Sequence, residues 1–382
     1  MMIYFDNAAT TRPNKEVLST FLKANEDCFA NSESNHAAGL VASRSLEEAR
    51  SEILKLLKIE KTHSLIFTSG ASESNNLALK GTGIRYENRG KRILFSSVEH
   101  PSVNKPLEEL EKYAGFDIEK LPVDHLGLVN EADVLSSLDK NTIIVSVMAV
   151  NNELGSCNDI AAIGNIVHKF PKCFFHVDAT QAVGKIDLPY GSIDLCSFSA
   201  HKFAGLKGSG ALLYKKTMSF IPLLAGGEQE NDFRAGTVNV AGALALEKAL
   251  EIALSHREEN YRAVKEIYEY LRDYFCSDPE QYSVHSDEIS AKQTPFVLNV
   301  GFKKKKASVI VQALSNHDIY VSSVSACSSK KSLASSVLLS CGYPLEEASN
   351  SIRLSFSSEN TLAEAKEFVK RLSEIMKEVI DR

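Results

Sequence analysis

The chain has 382 residues, 44% hydrophobic and 24% charged, with 43 Lys+Arg against 49 Asp+Glu and a net charge of −6. This is the mix of a folded globular protein of two or three domains, large enough to need neither disulfides nor a structural metal, and without a general basic footprint for nucleic acid. No apolar run approaches the ~20 residues of a membrane span, and the opening Met-Met-Ile-Tyr-Phe-Asp is not a basic stretch followed by an apolar one, so no membrane anchor and no secretory leader are expected, and a cytoplasmic location is.

In chain order, Leu46, Ala49, Ile53 and Leu57 first make one apolar stripe at helical spacing. From residue 64 an apolar strand, a turn and a helix repeat. The predicted strands are Ser64–Thr68, Ile93–Val98, Ile143–Val150, Cys173–Val177, Asp194–Phe198 and Ala211–Tyr214. Several are continuous apolar runs, which fits strands covered on both faces, as in a mostly parallel sheet. Helices are expected at Ser72–Lys80 and Ile160–Lys169, then at Gly242–Leu254 and His256–Phe275. Strand-like pieces follow at Pro295–Val300 and Ile352–Phe356. The last element is a helix opened by a capping box, Thr361 with Glu364, and carrying Leu362, Ala365, Val369, Leu372 and Met376 on one face. The fold class is therefore α/β: a large α/β domain over 16–258 with a smaller α+β domain over 259–382, residues 1–15 forming an arm that joins the smaller one.

Four strand ends carry the chemistry. Phe174-Phe175-His176-Val177-Asp178 ends a strand in a carboxylate, where open α/β sheets bind ligands. Ser197-Phe198-Ser199-Ala200-His201-Lys202 ends the next in a lysine, 24 residues after Asp178. Thr68-Ser69-Gly70-Ala71-Ser72 is a glycine turn into a helix, a place for a phosphate. Val98-Glu99-His100-Pro101 puts a histidine at a fourth strand end, and Asn151-Asn152-Glu153 follows another. Each alone has an ordinary explanation: a helix-capping Asp, a surface Lys, a plain βα turn, a structural His. Asp and Lys one βα interval apart are more specific. They match pyridoxal phosphate chemistry, with the lysine as Schiff-base partner and the aspartate facing the ring nitrogen. The seven cysteines are odd in number and contain no C-x-x-C, so they read as buried small side chains in a reducing compartment, with Cys327 the exception.

Taken together, these segments resemble the cysteine desulfurases, in the aminotransferase class V branch of the fold-type I pyridoxal phosphate enzymes. The opening Tyr4-Phe5-Asp6-Asn7-Ala8-Ala9-Thr10-Thr11 looks like the family's first signature, and TSGASESNN, VEH, VNNELG, HVDATQ, SFSAHK and RAGT occur in family order. Val321-Ser322-Ser323-Val324-Ser325-Ala326-Cys327-Ser328-Ser329 resembles the long catalytic loop of the NifS/IscS-like branch, and Ser351-Ile352-Arg353-Leu354-Ser355 the carboxylate-binding strand. The resemblance implies a seven-stranded, mostly parallel sheet in the large domain, pyridoxal 5′-phosphate as cofactor and no metal. It implies that Lys202 holds the cofactor, Asp178 pairs with the ring nitrogen and His100 stacks on the ring. Gln181 and Asn152 would face the ring oxygen side, and Ala71, Ser72, Ser199 and His201 the phosphate. Thr237 would reach the phosphate of a second subunit, making a homodimer. Arg353, with Asn152, would bind the substrate carboxylate, and Cys327 would accept sulfur from L-cysteine and pass it to an acceptor protein serving iron–sulfur assembly or tRNA thiolation, with no direct contact to nucleic acid or membrane. Lys330 and Lys331 are candidates to favour the Cys327 thiolate. A selenocysteine lyase or another lyase of this family would share these residues, and a non-catalytic sulfur-transfer scaffold would not need them. Val324, Leu206 and Ala225 depart from the family's Gly, Pro and Gly, and residues 31–36 lack its usual Pro.

Overall fold

The structure is a computed structural model that describes residues 2–323 and 334–378. The strands are β1 (Ile3–Tyr4), β2 (His63–Thr68), β3 (Arg92–Ser96), β4 (Asp117–Leu121), β5 (Thr142–Ser146), β6 (Phe174–Asp178), β7 (Leu195–Ser199), β8 (Gly210–Lys215), β9 (Tyr282–Val284), β10 (Val297–Phe302), β11 (Ile319–Tyr320), β12 (Ser322–Ser323) and β13 (Ser351–Ser355). A seven-stranded sheet runs β2-β8-β7-β6-β5-β3-β4. Only β8 lies antiparallel to its neighbours, so the sheet is mostly parallel, as expected. β12-β13-β10-β9 form a second, antiparallel sheet, and β1 pairs in parallel with β11.

Consecutive residues of the central strands explain the continuous apolar runs. Leu65 and Phe67 pack with the stripe Leu46, Ala49, Ile53 and Leu57, whereas Ile66 between them packs with Leu77, Leu195 and Leu212. The two faces of the sheet thus bury separate layers, and a strand covered on both sides has no polar alternation to show. That stripe lies on the helix Ala37–Leu56 and the residue after it. The four-stranded sheet has its own core, in which Phe5 packs edge-on against Phe356 beside Leu271, Leu298 and Phe368. Thr361 and Glu364 form the expected capping box: the Thr361 N–H donates to Glu364 Oε2 at 2.7 Å, and the Glu364 N–H to Thr361 Oγ1 at 3.2 Å.

Two of the differences from expectation concern the large sheet and the helix after β2. β4 was not predicted, because Asp117-Ile118-Glu119-Lys120-Leu121 lies at the sheet edge and buries fully only Leu121. Charge rather than burial marks that edge: Arg92 on β3 bonds Glu119, and bonds Asp139 at 3.0 Å. The helix expected over 72–80 begins at Ala71, passes through a π-helical turn at Leu77–Gly81 and continues to Arg85. At Gly81 a side chain would meet the Ile221 carbonyl at 2.8 Å, so the close approach there needs glycine. Among the described residues, no helix is long and apolar enough to cross a membrane.

Candidate active site

The carboxyl ends of β2, β3, β5, β6 and β7 open on one edge of the large sheet, and a cavity of about 310 Å³ lies there. It is lined by Ala71, Ser72, His100, Asn152, Asp178, Gln181, Ser199, His201, Lys202 and Arg353, ten of the twelve residues expected from sequence. Thr237 is exposed and lines a separate cleft with Ser69 and Arg234. Cys327 lies outside the described residues, as do Val324, Lys330 and Lys331. Larger clefts of about 580 and 650 Å³ elsewhere gather no comparable set of buried polar groups.

Asp178 ends β6 and is 5% exposed. Its Oδ2 accepts from Asn75 Nδ2 at 2.8 Å and its Oδ1 from the Thr180 N–H at 3.0 Å. Among the described residues no Lys, Arg or His pairs with it. A buried carboxylate held by neutral donors alone fits a ligand that brings a cationic N–H. Behind it, Glu99 is buried; its Oε1 accepts from Ser96 Oγ at 2.9 Å and from the Met148 N–H at 2.5 Å, while Oε2 has no hydrogen-bond partner among the described residues. Burial, then the nearby charge of Asp178, pushes the Glu99 carboxyl up to about 8. That shift favours the protonated form of Glu99 at neutral pH.

Lys202 closes the short turn after β7 and turns its Nζ to the carbonyls of Ala8, at 2.7 Å, and Ala9, at 2.8 Å. His100 caps the helix Pro101–Ala114. Its Nδ1 accepts the Ser102 N–H at 3.1 Å, which in the neutral ring leaves the proton on Nε2. The ring is open to the cavity but walled by protein elsewhere; that enclosure, with a smaller push from Lys202, outweighs Asp178 and holds its pKa below the ordinary range.

On the side expected to take a phosphate, Gly70 has φ 150° and a Cβ at Gly210 would lie 2.6 Å from Gly70 Cα, so glycine is required where the two turns touch. The Ala71 N–H donates to Ser199 Oγ at 2.6 Å. His201 Nδ1 meets Thr10 Oγ1 at 3.1 Å, and burial, followed by Lys202, Lys207 and Lys185, holds its imidazole down to about 4. Arg353 comes from the other sheet. It is buried mid-strand on β13, with Nη2 on Asp6 Oδ1 at 2.8 Å, Nη1 on the Asn152 carbonyl at 3.1 Å and Nε unpartnered.

Sequence reasoning named neither Asn75 nor Asp6, though both lie within the quoted motifs, nor Thr180, Met148 and Ser102 in the lining. Four of the other cysteines are unsuited to a thiolate role: Cys157 and Cys341 are pushed up to about 12 by burial, and Cys173 and Cys196 higher still. The residues present suit a flat, anionic, pyridine-like ligand: a lysine amine, a buried carboxylate without a cation, an imidazole face and a hydroxyl-lined turn in one cavity.

The family model described as aminotransferase class-V matches residues 3–368. A NifS/IcsS protein homolog of Lactobacillus delbrueckii subsp. bulgaricus is 39% identical over 98% of this chain and 97% of its own. The cysteine desulfurase IscS of Dictyoglomus turgidum is 37% identical over the whole of this chain and 95% of its own. A solved structure titled NifS-like protein superposes with a TM-score of 0.91 at 32% identity, covering 99% of this chain and 100% of that one.

Proposed function

The chain belongs to the aminotransferase class-V family, and from that premise we propose that it is a pyridoxal-5′-phosphate-dependent L-cysteine desulfurase. The observation that carries this reading is the convergence of Lys202 and Asp178, which has no ion pair among the described residues, on one cavity that Arg353 also lines. Bound there, the cofactor supplies an electron sink that makes the substrate α-proton acidic. Lys202 would hold the cofactor, and its Nζ would take the substrate α-proton. Asp178 would hold a proton at the ring nitrogen, and the raised Glu99 carboxyl behind it adds little competing charge. His100 covers one face of the ring and offers Nε2–H to the reacting side. Arg353, already oriented by Asp6 and the Asn152 carbonyl, orients the substrate carboxylate.

Cys327 takes the substrate sulfur: its thiolate forms the new S–S bond as the C–S bond breaks, giving L-alanine and a persulfide for an acceptor protein. The homodimer belongs to the same reading. Thr237 is exposed outside its own chain's cavity, and its loop is tied to the glycine turn by Arg234 on Glu73 at 2.9 Å, as suits a residue serving a second subunit.

The test adds L-cysteine to the purified protein loaded with cofactor, under non-reducing conditions. Alanine should appear together with a one-sulfur mass gain on the Cys327 peptide, and Cys327→Ser should lose both while still binding cofactor. Full alanine release by Cys327→Ser would exclude the desulfurase in favour of a lyase that needs no thiol.

A further inference from the structure

A second buried lysine stands behind the cavity. Lys185 is 8% exposed, and among the described residues its Nζ contacts no carboxylate. Its partners are Gln181 Oε1, at 2.9 Å, and the ring of Phe296, whose centroid is 5.6 Å away. The charged groups around it are Lys202 and Arg353 on the cavity side, and Arg12 and Glu359 across a small chamber that Lys185 and Lys202 both line. Asp178 and His201 flank Lys202 in turn. An unpaired buried cation is costly, and one among further cations more so. Burial, then Lys202 and Arg353, bring its ammonium down to about 7.

The Ala8 carbonyl settles how Gln181 is turned. A carbonyl can only accept, so the NH2 faces Ala8 and the amide oxygen faces the Lys185 Nζ, which donates to it. One hydrogen of that NH2 reaches the Ala8 carbonyl at 2.9 Å, and the second remains for a ligand oxygen in the cavity that Ala8 and Gln181 line. A cation on the amide oxygen also strengthens the N–H at its other end.

We propose that Lys185 is a positioning residue of this site: acting through Gln181, it orients and strengthens the N–H offered to an anionic ring oxygen of the cofactor, and so weakens proton retention between that oxygen and the Lys202 nitrogen. The inference rests on the cavity being the pyridoxal phosphate site. The compensation is mutual, since an anionic oxygen opposite Gln181 supplies the counter-charge that Lys185 otherwise lacks.

The test is a pH titration of the visible absorbance of the bound cofactor in the wild type, Lys185→Met, Gln181→Ala and the double variant. Lys185→Met should retain cofactor and move the midpoint upward by roughly one pH unit, a tenfold tighter hold on the proton. Gln181→Ala should move it the same way, and the double variant no further than the larger single shift. A Lys185→Met midpoint within about 0.2 of the wild type overturns the proposal, as does full additivity with Gln181→Ala. If Lys185→Met does not hold cofactor, Lys185→Gln answers the same question: it still donates to Oε1 without the charge, should shift upward, and overturns the role of the charge if it does not. A wild-type chain without a visible band would overturn the cofactor site itself, a result distinct from a band that fails to move.

Discussion

The two sheets supply the cavity in different ways. The seven-stranded sheet offers residues just past its strand ends: Asp178 closes β6, Lys202 sits in the turn after β7, and His100 caps the helix after β3. Parallel strands leave all their carboxyl ends on one edge, so residues distant in sequence become neighbours with little tertiary adjustment. The four-stranded sheet has no such edge, because antiparallel neighbours alternate their ends. Its Arg353 comes from mid-strand instead, paired with Ser322 on one side and Asn299 on the other. The strand ends therefore hold groups that gain or lose protons, and the strand face holds a fixed charge. Substitutions on the first should change the chemical step, and on the second, substrate binding.

Lys202→Ala tests the strand-end half most severely. It should fold, lose the cofactor otherwise fixed to the Lys202 peptide by borohydride, and lose on the order of 10²–10⁴-fold in turnover. Cofactor still reduced onto the same peptide would place the attachment elsewhere. Asp178→Asn keeps the shape and removes the charge, so exchange of the substrate α-proton should slow by about 2–3 kcal/mol of barrier, or 30–150-fold. Exchange at the wild-type rate would mean that Asp178 faces something other than the ring.

Arg353→Leu should show the opposite signature, a rise in KM of roughly 10–100-fold for L-cysteine with a smaller change in kcat. A fall in kcat alone would erase the contrast between the sheets. The effect expected at Glu99 falls on stability and leaves turnover least changed. Its folded-state pKa, about 8, lies above the ordinary carboxylate value, so the folded protein binds the proton that the unfolded chain releases. The stability it contributes is present at acid pH and lost as pH rises from about 4.5 towards 8. In the cofactor-free protein Glu99→Gln should therefore flatten the fall of Tm between pH 5 and 8 that the wild type shows. Equal slopes in the two proteins would mean that Glu99 is ionised throughout.

The large sheet was legible because its signal is local. Continuous apolar runs marked every strand buried on both faces, and the element that escaped, β4, is the edge strand with little burial to display. The site was legible at strand ends for the same reason: Asp178, Lys202 and His100 each sit where an apolar run stops. Lys185 escaped because it lies four residues beyond Gln181 in a turn segment, and a lysine there reads as a surface residue.

Residue order alone thus determined which strand ends carry Asp178, Lys202 and His100 and that one sheet edge would gather them, since a strand and its turn are set by neighbouring residues. Only the tertiary structure decided the charge states. Low-dielectric surroundings assembled from distant segments push the Glu99 carboxyl up and the His100 and His201 imidazoles down, and among the described residues they bring no carboxylate to Lys185. It also decided that Arg353 and Asp6, 347 positions apart, meet at 2.8 Å. Burial and pairing are sums over spatial neighbours, and no window of the sequence contains those sums.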